Sequence, residues 1–337
     1  MEPFEIAGHI IEPGETKKIE IPMVRLYTDT TIGIPVFVKR GKRPGPTLFL
    51  SAAIHGDELN GIEIINRIIN SKAIDKLKGT LIAIPMVNVY GVLNQSRYLP
   101  DRRDLNRSFP GSERGSLAGR MAYQFLKEIV AKSDYGIDFH TGAIHRSNLP
   151  QIRANLDDEK TLELAMAFGL PVLLNSNLRD GSLRQSAVDL GTTVLLYEAG
   201  EALRFDELAI KAGVKGSISV MRHLGMLSKR KNKSKPYEPI IARNSGWVRA
   251  CESGLVVHAK QLGDHVVRGD VLATINDPYG QELDTVKCPY GGIIIGKQNI
   301  PLVQEGEAMY HIAYFEDPEE IVENMGLLQE ELLPEQE

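Results

Sequence analysis

Hydrophobic positions follow two rhythms along this chain, and the change between them divides it. From residue 47, short apolar runs of strand length stand at 47–54, 80–87, 135–140, 171–175 and 192–198. Between them, apolar residues recur at three- and four-residue spacing over 60–70, 116–131, 157–168 and 205–224, the period of a helix with one buried face. Strands alternating with such helices predict an α/β domain over 1–228, built on a mostly parallel sheet with helices on both faces. Its first part, 1–45, is β-rich: β-prone runs at 18–22 and 32–38 are broken by Gly and Pro.

After residue 228 the pattern breaks. The run Lys229-Arg-Lys-Asn-Lys-Ser-Lys-Pro236 is basic and apolar-poor, and reads as part of a solvated linker over 229–239. From 240 to 315 helical periodicity is absent and short β-prone runs are punctuated by Gly, the texture of a smaller all-β barrel or sandwich. The segment Gly263-Asp-His-Val-Val-Arg-Gly-Asp-Val-Leu272, leading into a hairpin stretch 277–284, resembles the biotinyl/lipoyl-like barrel-sandwich domain. Carriers of that type present a modifiable Lys at the hairpin tip. Here the tip has none and Lys287 lies beyond it, so a carrier-like shape without carrier chemistry is expected, shaping the site entrance or an oligomer contact. The acidic residues 316–337 predict a surface helix with a frayed end.

Composition narrows the function class. The chain has 337 residues, enough for two domains, and its 42% hydrophobic and 25% charged content is that of an ordinary soluble protein. A net charge of −5 and a pI near 6.0 leave no footprint for nucleic acid. The longest uncharged segment, 79–96, is interrupted by Pro85, Asn88 and Asn94, so no membrane span is expected. No signal-peptide pattern opens the chain, and Cys251 and Cys288 are too few for a disulfide scaffold. A cytoplasmic protein is expected, with a homo-oligomer compatible with the composition.

The chemistry concentrates at strand ends. His55-Gly-Asp-Glu58 directly follows the first apolar run, and an imidazole and a carboxylate on one turn can face a single metal ion of the zinc type. A third ligand is available at Asp138-Phe-His140. Residues two apart on a strand share a face, so Asp138 is placed to hold the back of the His140 ring. Two His and one Glu leave a coordination position open, as catalytic zinc sites do. Either cluster alone is common, and a lone His near a strand end is more often structural. Their joint position at strand carboxyl ends favours a metal centre.

Between them lies the dense polar segment from Arg97 to Gly111, in which Asn106 and Arg107 offer an amide and a guanidinium fork for a carboxylate. The competing reading is a surface loop whose arginines pair with Asp101 and Asp104. Glu198 closes the last apolar run, where it can act as general base and acid beside a metal, or serve only as a helix N-terminal or surface carboxylate.

Taken in order, His55-x-x-Glu58, Arg97, Asn106-Arg107, Asp138-x-His140 and Tyr197-Glu198 resemble the succinylglutamate desuccinylase/aspartoacylase family, relatives of the zinc carboxypeptidases, over about residues 45–225. The resemblance implies that His55, Glu58 and His140 hold one zinc ion per chain and that Glu198 is the catalytic acid/base. It also implies that Arg97 polarises the scissile carbonyl and that Asn106 and Arg107, with Tyr197, bind the substrate. The spacing from Arg97 to Asn106 is longer than in aspartoacylase, which leaves Arg102 and Arg103 as rivals. The stretch from Thr141 to Arg153 departs from the family versions; it reads as a loop whose polar side chains, Arg153 included, line the pocket, or in which Arg153 pairs with Asp157 or Asp158. The implied activity is zinc-dependent removal of an acyl group from an N-acylated amino acid or similar small amide. The alternatives are carboxypeptidase-like or esterase chemistry at the same metal, and a non-catalytic metal-dependent binding module.

Overall fold

The structure, a computed structural model, describes residues 3–25, 27–229, 239–315 and 318–333. A hairpin (β1, Phe4–Ile6; β2, His9–Ile11) precedes two long strands, β3 (Thr16–Arg25) and β4 (Thr31–Arg40). The α/β part runs β5 (Thr47–Ala52), α1 (Asn60–Ile69), β6 (Thr80–Ile84), α2 (Val89–Leu93), α3 (Leu117–Glu128) and β7 (Tyr135–Gly142). It continues with β8 (Arg146–Ala154), α4 (Glu159–Phe168), β9 (Val172–Asn175), α5 (Leu183–Asp189), β10 (Thr193–Glu201) and α6 (Glu207–His223). The C-terminal region holds β11 (Ile240–Ala242), β12 (Asn244–Arg249), β13 (Gly254–His258), β14 (His265–Val266) and β15 (Val271–Asn276). After these come β16 (Glu282–Lys287), β17 (Gly292–Gln298), β18 (Leu302–Val303), β19 (Ala308–Tyr314) and a final helix, α7 (Pro318–Leu332). No helix among the described residues is long and apolar enough to cross a membrane.

Helix starts follow from local chemistry. Ser116, Asp158, Ser182 and Asp206 cap α3, α4, α5 and α6, each side chain accepting from a backbone N–H in the first turn. The centre of the main sheet, β10-β7-β5-β6, is parallel. Antiparallel strands extend it on both sides, β4 and β3 beyond β6 and β8 beyond β10. Strand residues alternate between two cores. Leu48, Leu50, Phe139 and Tyr197 pack under α1, α4 and α6, while Phe49, Ile82 and Ile84 pack against α3 and α5.

The segment after His140 is the strand β8, not a loop. Two features conceal it: both faces are covered, so no polar alternation shows, and Pro150 has no N–H for the ladder. The β8–β10 register shifts at this point, between the Glu198–Gln151 and Gly200–Asn148 pairs.

Because β8 presents a pairing edge, the main sheet runs on into the C-terminal region. There β17 pairs with β8, β19 with β17 and β12 with β19. A second sheet, β16-β15-β13-β18, closes over these strands around Val256, Leu272, Ile275, Met309 and Ile312. The β15–β16 hairpin carries exposed Tyr279 at its turn. β11 adds in parallel to β9, and α7 docks back on α6, with Glu331 paired to Lys215 at 2.5 Å. Most of the basic linker, 230–238, lies outside the described residues, as do 316–317 and 334–337 of the acidic tail.

Tyr197 does not reach the cleft assigned to it from the sequence. It is fully buried on the face opposite Glu198, as the strand period requires of neighbours, and its hydroxyl donates to the Ala209 carbonyl at 2.6 Å. Tyr197→Phe is therefore expected to lower unfolding stability by about 0.5–1.5 kcal/mol in urea titrations while leaving KM for the substrate unchanged. A tenfold rise in KM would return the ring to the binding site.

Candidate metal centre and active site

β5 ends at Ala52, and Ala53, with φ of 52°, turns the chain into the loop that carries His55 and Glu58 to the start of α1. This loop passes so close to α2 that a Cβ on Gly56 would lie 1.9 Å from the carbonyl carbon of Gly91, so glycine is required there. His55 Nδ1 sits 2.7 Å from Glu58 Oε1, and His140 Nδ1 lies 2.8 Å from Glu58 Oε2. All three side chains are buried, and their donor atoms lie within 4.8 Å of one another. Two imidazole nitrogens and a carboxylate are a donor set that fits zinc with a position to spare.

Each ring is held from behind. His140 Nε2 is 2.8 Å from Asp138 Oδ2, and Asp138 accepts from Ser51 Oγ at 2.7 Å across the β5–β7 pair. His55 Nε2 is 3.2 Å from Asp104 Oδ1. A carboxylate behind each ring fixes its tautomer and leaves Nδ1 as the donor toward the cluster. Asp138 stands where its spacing placed it. Asp104 adds a role the sequence reading missed, although its Asp-x-Asn spacing carried a signal: its Oδ1 also accepts from the Asn106 N–H at 2.8 Å.

The electrostatics favour a cation. Burial opposes every charge here, yet Glu58 with Asp104, and Asp138 with Glu58, raise His55 and His140 above the ordinary histidine value. Burial likewise opposes ionisation of Glu58 and Asp104, but the facing imidazoles, and for Asp104 also Arg97, hold both well below the usual carboxylate range. Arg97 Nη1 approaches Glu58 Oε1 at 3.4 Å, and its Nη2 pairs with Asp104 Oδ2 at 2.9 Å. Arg102 and Arg103 are exposed, with Arg103 drawn to Asp101 at 3.8 Å, so of these three arginines Arg97 stands at the cluster. The Arg97–Asp104 pair weighed as the bland reading is also present.

Glu198 is the register partner of His140 on the adjacent parallel strand, which sets both side chains on one face. Its Oε2 accepts from Asn148 Nδ2 and lies 3.4 Å from Arg153 Nη2. Arg153 thus meets Glu198 rather than Asp157 or Asp158. Beyond it the chain turns at Gly200, φ 74°, where a Cβ would lie 2.5 Å from Asn60 Nδ2. That amide donates to the Ala199 carbonyl at 3.2 Å, tying the start of α1 to the end of β10.

These groups line a cleft of about 170 Å³ together with Asn106, Arg107, Arg179 and Arg184. Asn106 Oδ1 accepts from the Leu183 N–H at 2.9 Å, which docks α5 beside it. Buried Arg184 donates to the Arg153 carbonyl and Ser176 Oγ, both at 3.3 Å. Burial first, then Arg153, pushes its pKa down to about 10. Arg184 escaped the sequence reading because α5 is too short for helical periodicity, and Arg179 because it stands on the irregular segment before that helix; Ser182 followed by Gln185 was the available start signal. A larger groove of about 720 Å³ lies against Ile144, Leu255 and Leu302, but it contains neither the cluster nor Glu198.

The family model for the succinylglutamate desuccinylase/aspartoacylase catalytic domain matches residues 44–224. An N-alpha-acetyl-L-2,4-diaminobutyric acid deacetylase from Halomonas elongata is 28% identical over 308 residues, 87% of either chain. Among solved structures, a succinylglutamate desuccinylase/aspartoacylase from Rhodobacter sphaeroides superposes with a TM-score of 0.79 at 24% identity, covering 89% of this chain and 95% of its own. The product-bound ectoine utilization protein EutE (DoeB) of Ruegeria pomeroyi gives 0.80 at 23%, covering 93% and 98%. These two share the fold, C-terminal region included. The matched segment contains His55, Glu58, His140 and Glu198, and on this ground the chain belongs to the succinylglutamate desuccinylase/aspartoacylase family.

Proposed function

We propose that this protein is a zinc-dependent amidohydrolase that removes the acyl group from an N-acylated amino acid or similar small amide. The observation that carries the reading is the convergence of buried His55, Glu58 and His140 beside Glu198 on one sheet face. One zinc ion held by these three side chains would supply Lewis acidity toward the amide carbonyl and lower the pKa of water. Glu198, with Oε2 held by Asn148 and Arg153, keeps Oε1 available to take the proton of the attacking water and pass it to the leaving amine. Arg97, beside the cluster, offers its guanidinium to the carbonyl oxygen as negative charge builds there.

The cleft also supports the substrate class. Its small volume suits a small molecule, and five arginines line it: Arg97, Arg107, Arg153, Arg179 and Arg184. Among the described residues Arg107, Arg179 and Arg184 form no salt bridge within 4.0 Å, so anionic groups of a ligand can complete them. Asn106 and Arg107 are the proposed holders of the substrate carboxylate, with Arg153 beside them. The Halomonas elongata relative is named for an N-acylated amino acid, which supports the same class here. The arginine wall favours carboxylate-bearing substrates over those with a free ammonium group in the same place.

Zinc is expected to bind at one ion per chain by elemental analysis, with a chelator abolishing deacylation and added zinc restoring it; full activity in metal-free protein would overturn the metal reading. Glu198→Gln should cut turnover of N-acetyl, N-succinyl or N-formyl amino acids by roughly 10²–10⁴ with zinc retained. Parent-like turnover in that variant removes the acid/base role. Arg184→Met should raise KM by about tenfold or more, in keeping with loss of a charged hydrogen bond, with kcat little changed. An unaltered KM would take Arg184 out of substrate binding.

A further inference from the structure

We propose that Asn148 positions the Glu198 carboxylate, and that the C-terminal β region holds Asn148 in place through Gly296. The inference rests on the acid/base reading of Glu198 and assigns the C-terminal region a part in the same site.

The sheet brings the relevant residues into one line. Gly200 of β10, Asn148 of β8, Gly296 of β17, His311 of β19 and Trp247 of β12 are successive register partners across adjacent strands. This lateral row connects the strand of Glu198 to the outer strand of the C-terminal region. Asn148 is buried within the row, and its Nδ2 donates to Glu198 Oε2. The donor end of the amide must face the carboxylate, since the reverse orientation would oppose two acceptors. Its Oδ1 then faces the β17 side. A Cβ on Gly296 would come within 3.1 Å of that oxygen, 3.1 Å of His311 Cβ and 3.6 Å of Trp247 Cη2. Glycine serves there by leaving space for the amide.

The far side of the row is firmly packed. His311 is buried, its ring stacks on Trp247 at 4.6 Å and 9°, and its Nε2 bonds Ser245 Oγ at 2.9 Å. The Arg146 guanidinium lies 5.6 Å from the Trp247 ring centroid. Gly296 is the register partner of both His311 and Asn148, so this packing backs the strand that faces Asn148.

The chemistry explains why an amide stands here. A carboxylate that accepts protons has to be aimed without losing its basicity. A cation in direct contact lowers the pKa of a carboxylate, whereas a neutral N–H orients it at smaller cost. Arg153 Nη2 pairs at 3.4 Å with the same oxygen to which Asn148 donates the closer hydrogen bond. Both approach Oε2, so the second oxygen is left for proton transfer.

The test uses the full-length, zinc-loaded protein on its best substrate from the N-acyl amino-acid panel. Asn148→Ala, Asn148→Asp, Gly296→Ala and Glu198→Gln are compared with the parent for kcat, KM and zinc content. Asn148→Ala is expected to lower kcat by roughly 10- to 100-fold with KM and zinc content held, the cost of a loosely held catalytic group. Gly296→Ala, which presses on the amide from the barrel side, should lower kcat in the same direction by a smaller factor. Asn148→Asp keeps the size but sets a second carboxylate against Glu198. The donor that aims Glu198 is then lost, and kcat should fall at least as far as in the alanine variant, with KM and zinc content held.

An Asn148→Ala kcat within twofold of the parent, while Glu198→Gln is inactive, overturns the positioning role. If the alanine variant does not fold, Asn148→Asp decides: a kcat within twofold of the parent overturns the role, and a lowered kcat with KM and zinc content held sustains it. Parent-like kcat in Gly296→Ala, with Asn148→Ala impaired, overturns the part given to the C-terminal region. Parent-like turnover in Glu198→Gln removes the acid/base reading itself, and the inference falls with it.

Discussion

Register partners on adjacent strands point their side chains to the same face, and in this protein the pairing of β7 with β5 and β10 places His140 beside Glu198 and Asp138 beside Ser51. Everything polar in the site is arranged around that registration. A shift of one residue in β7 would send His140 and Asp138 into the core that Phe139 now fills, and would bring Phe139 to the cleft. The core thus enforces the site: Leu48, Leu50, Phe139 and Tyr197 under α1, α4 and α6 leave one register in which apolar residues are buried and the polar ones emerge at the strand ends.

Burial of so many ionisable groups is costly unless each is satisfied. Here the partners interlock. Glu58 lies between two imidazoles, each imidazole has a carboxylate behind it, Asp138 is anchored by Ser51, and Asp104 is shared between His55 and Arg97. Carboxylate behind imidazole is the arrangement that presents Nδ1 lone pairs to a cation, so the network that satisfies the buried charges also prepares the cluster for a metal. On the opposite wall the balance reverses: Arg179 and Arg184 are without acidic partners among the described residues, and Arg184 is buried against carbonyls. The cleft therefore joins a donor set for a cation to a surface suited to anions.

The C-terminal region is built largely of antiparallel strands, and its connection to the rest follows from β8. An antiparallel strand beside β10 ends the parallel centre of the sheet on that side and offers an edge that β17 covers. The same strand carries Asn148 and Arg153, so the element joining the two regions is also one that touches Glu198. A basic stretch and a change of rhythm mark the passage between the regions in sequence, while hydrogen bonding makes the sheet continuous.

Much of this was legible in the residues themselves. Alternating apolar runs and helical periods specified the strands and helices of the α/β part, because burial of one face leaves a local pattern with a fixed period. His55-x-x-Glu58 and Asp138-x-His140 were readable for the same reason: a turn and a strand set short-range geometry by spacing alone. The facing of Tyr197 was misread because the family motif names neighbouring residues, whereas a strand sends neighbours to opposite sides. β8 was hidden by burial on both faces and by Pro150. Asp104 behind His55, Arg184 beside Arg153 and Asn148 on Glu198 join groups 49, 31 and 50 residues apart. Sequence by itself determined which local elements form and which residue types stand at their ends; only the tertiary structure decided which of those ends meet, because strand order and register are settled by the packing of distant core residues and leave no periodic trace along the chain.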